Sequence, residues 1–121
     1  MSPRSIIVVD DAPLVLRTIR RALSRQGHTV QTFTNGIEAI AYCLAHSVDL
    51  VITDMDMPIK TGRELIEEVL THTPDLRILA ISGNEDQLKD GVKAGARAGL
   101  SKPFGAQELL DAVNKALDSI H

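Results

Sequence analysis

Aromatic residues are nearly absent from this chain, with one Tyr, two Phe and no Trp in 121 residues. Ile, Leu, Val and Ala must therefore fill the interior. The single cysteine, Cys43, excludes an intrachain disulfide and suits a reducing compartment. No partnered base lies near it in sequence, so it reads as a small helix residue rather than a nucleophile. No long apolar run occurs. The chain reaches the charged pair Asp10-Asp11 after only four apolar residues, Ile6-Ile7-Val8-Val9. That is too short for a signal peptide or a membrane span, so the expectation is a cytoplasmic protein without membrane insertion. The net charge of -3 is mild and argues against direct nucleic-acid binding. Arg17, Arg20, Arg21 and Arg25 cluster on one predicted helix, where they read as a solvated face. Linkers, repeats and low-complexity segments are missing too, and residues 1–121 suit a single domain with one core.

What is present is alternation. Short β-branched runs are separated by helix-length segments, five times over. The first strand is expected at residues 5–9. Pro13 then opens a helix with Leu16, Ile19 and Leu23 on one stripe, ended by Gly27. Residues 28–33 are more polar and suit a strand at the sheet edge. Asn35 and Glu38 stand in a helix-capping arrangement, after which Ile37, Ile40, Ala41 and Leu44 are expected to share the inner face. The third strand leads to Asp54. Thr61 and Glu64 fit a capping box before the stripe Leu65, Ile66, Val69 and Leu70, and Pro74 ends that segment. A fourth strand is expected at residues 76–81. The helix expected at residues 85–96 is the weakest, since Gly91 and Gly95 each cost about 1 kcal/mol relative to Ala. A short fifth strand runs to Ser101, and the last helix carries Leu109, Val113, Ala116, Leu117 and Ile120 in register.

This repetition predicts an α/β fold: a five-stranded parallel sheet in the order 2-1-3-4-5, doubly wound with five helices. Strands one and three then lie side by side at the switch point. Ligand sites in such sheets lie at the carboxyl ends of the strands. Asp10-Asp11, Asp54, Ser82 and Lys102 each end an apolar run, so they should meet at one edge.

Carboxylates brought together repel, and each raises its neighbours' pKa values unless a cation intervenes. Lys102 supplies one positive charge. An oxygen-only cluster without His or Cys at ligand spacing suits Mg²⁺ rather than Zn²⁺. A carboxylate beside Mg²⁺ and Lys is placed to attack phosphorus. Asp54 is the best nucleophile candidate because its strand is central, with Lys102 and Ser82 neutralising and hydrogen-bonding the phosphoryl oxygens. The product puts roughly two negative charges where one stood.

These residues closely resemble the receiver domain of two-component response regulators, the CheY-like family with a flavodoxin-like fold, over essentially the whole chain. The family's acidic pair after strand one appears as Asp10-Asp11, with Pro13 close behind. Its phosphoacceptor loop appears as Asp54, Met57, Pro58 and Gly62, its small hydroxyl residue as Ser82 before Gly83, and its Lys-Pro-Phe as Lys102-Pro103-Phe104. The resemblance implies that Asp54 accepts a phosphoryl group from a sensor histidine kinase or histidine phosphotransfer protein, and that Ser82 and Lys102 contact it. It implies a Mg²⁺ site from Asp11, Asp54 and the backbone carbonyl of Asp56, with Asp10 in support. It implies a downstream effector protein, a monomer or a phosphorylation-dependent dimer, and a signalling phosphoacceptor that assists its own phosphorylation and dephosphorylation without being an enzyme. Relatives often hold the bond before the Pro103 position cis. Asp56 and Asn84 occupy positions that tune dephosphorylation in relatives.

One departure matters. Relatives usually carry an aromatic residue three positions before the lysine, and here that position is Gly99. An aromatic switch cannot operate, so phosphorylation is expected to shift mainly residues 83–99. Other readings are weaker. Asp54-Met55-Asp56 is similar to the Asp-x-Asp of haloacid-dehalogenase-type phosphatases, but two βα units precede it and Asp10-Asp11 would have no role. A flavin module would need a Ser/Thr/Gly-rich phosphate loop where Asp10-Asp11 would repel phosphate. A phosphorylation-independent receiver-like scaffold is the remaining alternative. His28, His46, His72 and His121 have no metal spacing and read as surface residues, with His46 and His72 near helix C-termini. Met55 and Met57 read as gap-fillers. The chain closes just after its fifth helix, as a stand-alone regulator or an excised receiver would.

Overall fold

The structure, a computed structural model, describes residues 3–118. Its elements alternate throughout: β1 (Ser5–Val9), α1 (Pro13–Arg25), β2 (Thr29–Phe33), α2 (Gly36–Ala45), β3 (Leu50–Asp54), α3 (Gly62–His72), β4 (Arg77–Ser82), α4 (Glu85–Ala94), β5 (Ala98–Ser101) and α5 (Ala106–Asp118). All strands are parallel, in the order β2-β1-β3-β4-β5. The expected topology is therefore the observed one. Ile120 and His121 lie outside the described residues.

The continuous apolar runs have a simple physical origin. Ile6 and Val8 of β1 join Leu50 and Ile52 of β3 and Leu79 and Ile81 of β4 in one core layer, under Leu16, Ile19 and Leu23 of α1 and Leu109, Val113, Ala116 and Leu117 of α5. The alternate residues Ile7, Val9, Val51, Ile78 and Ala80 join the opposite layer, under Ala39 and Ile40 of α2 and Leu65, Ile66 and Val69 of α3. A strand covered on both faces has no solvent side, so the runs are apolar on both faces, and buried Thr53, Asp54 and Ser82 come only toward their carboxyl ends. Each fully buried Leu or Ile contributes about 1.5–3 kcal/mol through its removal from water.

Local signals fix the helix ends. Pro13 occupies the first turn of α1. The Asn35 side chain accepts the Glu38 N–H at the start of α2, and Thr61 with Glu64 forms a reciprocal capping box on α3.

Four expectations need correction. Helix α2 buries Gly36, Ala39 and Ile40, while Ile37 and Leu44 are 54% and 52% exposed. The small-residue face is chosen because the helix approaches closely: a Cβ on Gly36 would come within 2.9 Å of Lys60 and 3.5 Å of Leu65. Helix α4 ends at Ala94, since Gly95 leaves the helical region with φ of 127°. Strand β4 is shifted by one residue, so Ser82 belongs to the strand and pairs with Ser101. His28 is buried rather than on the surface, and its Nδ1 accepts the Arg4 N–H at 3.1 Å. Burial and the Arg4 charge hold its pKa below the usual 6.5, although Asp49 opposes them.

Candidate functional site

The parallel sheet brings four strand ends to one edge. Asp10 follows β1, Asp54 closes β3, Ser82 closes β4 and Lys102 follows β5. Backbone bonds tie these ends together: Met55 N–H donates to Ile81 O at 3.0 Å, and Lys102 N–H donates to Ser82 O at 2.8 Å. The peptide bond between Lys102 and Pro103 is cis.

Asp10 is fully buried, and Asp54 is 5% exposed. Asp10 Oδ1 accepts the Ala12 N–H at 2.9 Å, and its Oδ2 accepts the Lys102 ammonium at 2.8 Å. The same ammonium lies 3.4 Å from Asp54 Oδ1. Asp11 is exposed, yet Asp10, Asp11 and Asp54 each present a carboxylate oxygen within 4.8 Å of the others. Asp11, Asp54, Asp56, Ser82 and Lys102 line an open cleft of about 350 Å³, shared with Gly83, Asn84 and Gln87. Asp10 sits beneath it as the partner of Lys102.

The electrostatics follow from this packing. Burial raises the Asp54 pKa first and the Asp10 carboxylate adds to it, while Lys102 and the Asp56 backbone amide pull the other way. Burial pulls the Lys102 ammonium down, but its hydrogen bond to Asp10 and the Asp10 and Asp54 charges outweigh this and hold its pKa above the usual value. One lysine against three carboxylates leaves the cluster short of positive charge. The donor set is carboxylate oxygen only, which fits a hard divalent cation. Oxygens within 4.8 Å of one another are close enough for one ion to gather with small side-chain adjustments. Asp56 stands on the exposed rim of the cleft, and its carboxylate does not join the converging three.

The loop that leads away from Asp54 is held tightly. A Cβ at Gly62 would come 2.6 Å from Met55 Cα and would also run into Asp54 O, so only glycine fits beneath the site. Ile59 adopts φ of 72°, and Lys60 N–H donates to Pro58 O at 2.8 Å, a γ-turn in the left-handed region. For a β-branched residue this is strained backbone, and its side chain is 82% exposed.

Every residue singled out in the sequence for this site lies at the cleft or directly under it. Gln87 was missed. Its Oε1 accepts the Ser82 hydroxyl at 2.6 Å. The spacing Asn84-x-x-Gln87 is a helix-start signature that places it in the first turn of α4, beside Ser82. Cys43, read as inert, has its thiol pushed up to about 11 by burial, as an unreactive cysteine should. Among the described residues, no helix is long and apolar enough to cross a membrane.

Comparison with known proteins agrees with this geometry. The family described as the response regulator receiver domain matches residues 6–114. The chain is 37% identical to the DNA-binding transcriptional regulator NtrC of Azospirillum brasilense, across 98% of this chain and 25% of that protein. It is 34% identical to the chemotaxis protein CheY of Bacillus subtilis, across 93% of this chain and 97% of that one. The chain thus spans a quarter of the first relative and nearly the whole of the second. The solved structure of the chemotaxis response regulator CheY4 of Vibrio cholerae superimposes with a TM-score of 0.90 at 27% identity, covering 96% of this chain and 100% of that one.

Proposed function

The chain belongs to the response regulator receiver domain family of two-component signalling, and from that premise we propose that Asp54 is its phosphoacceptor. An Asp54 carboxylate oxygen attacks the phosphorus of a phosphohistidine on a sensor kinase or phosphotransfer protein. The P–N bond breaks, its electron pair stays on the imidazole, and an aspartyl phosphate forms. Lys102 faces the incoming phosphoryl oxygens from one side. Ser82, at the end of the neighbouring strand, donates a hydrogen bond to one of them. Asp11 and Asp54 hold Mg²⁺ together with the Asp56 carbonyl, and buried Asp10 supports them by fixing Lys102. Bound there, the ion supplies charge neutralisation for the phosphoryl group.

The observation that carries this reading is the meeting of Asp54 with Asp10, Asp11 and Lys102 at the open end of a sheet. The raised Asp54 pKa supports it, because burial and, after it, the Asp10 charge make this carboxylate more basic and a better nucleophile. The whole chain acts as one receiver domain and as a signalling phosphoacceptor, not as an enzyme on external substrates. Its output is altered binding of a downstream effector protein, as a monomer or a phosphorylation-dependent dimer. Incubation with acetyl phosphate and Mg²⁺ should add the mass of one phosphoryl group, and Asp54→Asn should add none. No mass gain in the wild type would favour the phosphorylation-independent scaffold instead.

A further inference from the structure

Ser82 is buried at the edge of the cleft, yet its hydroxyl proton is engaged elsewhere. The hydroxyl donates to Gln87 Oε1 at 2.6 Å. Its oxygen accepts the Asn84 N–H at 3.0 Å, and the Gln87 N–H donates to Asn84 Oδ1 at 3.1 Å. The three residues close a ring of hydrogen bonds at the start of α4. A serine hydroxyl has a single proton. Ser82 therefore cannot donate to Gln87 and to a phosphoryl oxygen on Asp54 at once.

We propose that Gln87 is a positioning residue for phosphoryl acceptance: its carboxamide oxygen withholds the Ser82 proton in the resting protein, and phosphorylation exchanges that bond for one to the phosphoryl group. The proposal rests on the roles given above to Asp54 and Ser82. Its reach is longer than the cleft. Gln87 lies in the first turn of α4, and its neighbour Leu88 rests on β5, where a Cβ at Gly99 would come within 3.3 Å of Leu88 Cδ2. Gly99 offers no side chain to sense Ser82. The Ser82–Gln87 bond is a direct side-chain link from the cleft to α4, one residue from the contact that seats the helix on the sheet.

The test uses acetyl phosphate and Mg²⁺. An Asp54 oxygen attacks phosphorus, the P–O bond to acetate breaks, and acetate leaves with the electron pair. Ser82 contributes a hydrogen bond and transfers no proton. Gln87→Met keeps the side-chain length and removes the acceptor, and Gln87→Leu repeats the test with a second side chain. Either variant should raise the phosphorylation rate constant about three- to tenfold, the range set by one net hydrogen bond. In a Ser82→Ala background the same substitution should change nothing, which separates action through Ser82 from a general loosening of α4. In the unphosphorylated Gln87→Met protein, the Asn84 and Leu88 amide resonances should move toward their positions in the phosphorylated wild type. An unchanged rate, or an equal gain in the Ser82→Ala background, overturns the proposal while leaving Asp54 as phosphoacceptor. A wild type that takes up no phosphoryl group overturns that assignment and this one together.

Discussion

Asp54→Asn should make the fold more stable while abolishing phosphate acceptance. The carboxylate oxygens of Asp10, Asp11 and Asp54 lie within 4.8 Å. Two unit charges at that distance repel by about 3.5 kcal/mol at an effective dielectric constant near 20. The Lys102 ammonium at 3.4 Å attracts Asp54 by about 5 kcal/mol on the same scale. Two repulsions against one attraction leave a cost of about 2 kcal/mol. Desolvation of a carboxylate that is 5% exposed adds to it, and solvent screening around exposed Asp11 reduces it. Neutralising Asp54 should therefore stabilise the metal-free protein by about 1–2 kcal/mol at pH 7, a rise in Tm of roughly 3–8 °C.

The pH dependence of that gain follows from the direction of the shift. The folded Asp54 pKa lies above its ordinary 3.8, so just above that value the native state holds more protons than the unfolded state. Wild-type stability then falls, relative to the variant, as pH rises through the window. The two proteins should converge below about pH 4 and separate toward pH 7. Urea unfolding followed by circular dichroism, in the presence of a chelator, measures both. Added Mg²⁺ should then stabilise the wild type more than the variant, because a ligand that binds only the folded state adds its binding energy to folding. A variant less stable than the wild type at pH 7 in chelator would refute the electrostatic account.

Further outcomes follow from the same structure. Lys102→Met leaves buried Asp10 without its cation and should cost about 3 kcal/mol in chelator, with part of the loss restored by Mg²⁺; an unfolding midpoint equal to wild type would contradict this. Gly91→Ala improves helix propensity, but its Cβ would lie 2.9 Å from Ala80 and 3.1 Å from Met55 Sδ. It should be destabilising by about 1–3 kcal/mol, and a more stable variant in urea would show that α4 can lift without cost. The depressed pKa of His28 means that the unfolded state takes up the proton first. Stability should fall as pH drops below 6.5, and less so in His28→Asn, as unfolding free energies between about pH 5 and 7 would reveal. Phosphorylation should change amide hydrogen exchange mainly across residues 83–99, and unchanged protection there would contradict the route through α4.

How much of this was legible in the chain depends on the kind of signal. Ile6-Ile7-Val8-Val9 gave a two-sided strand because a parallel strand buried on both faces reads as one continuous apolar run. Thr61 and Glu64 gave a helix start because capping is a local hydrogen-bond event. Helix α2 was harder, since Ile40 belongs both to a stripe with Ile37, Ala41 and Leu44 and to one with Gly36 and Ala39. Periodicity accepts either, and the spacing to Lys60 and Leu65 selects the smaller. His28 carried no sign of burial, because its partner is the backbone of Arg4, 24 residues away.

The sequence by itself determined that Asp10, Asp11, Asp54, Ser82 and Lys102 share an edge. Strands that all run one way must end together, whatever their side chains do next. Only the tertiary structure decided that Asp10 lies beneath Lys102 while Asp11 and Asp54 face the cleft, and that the Ser82 proton is held by Gln87. Those choices turn on differences of an ångström or two in how neighbouring strands and helices seat against each other. Such distances are set by packing across the whole core, which no local pattern of residues encodes.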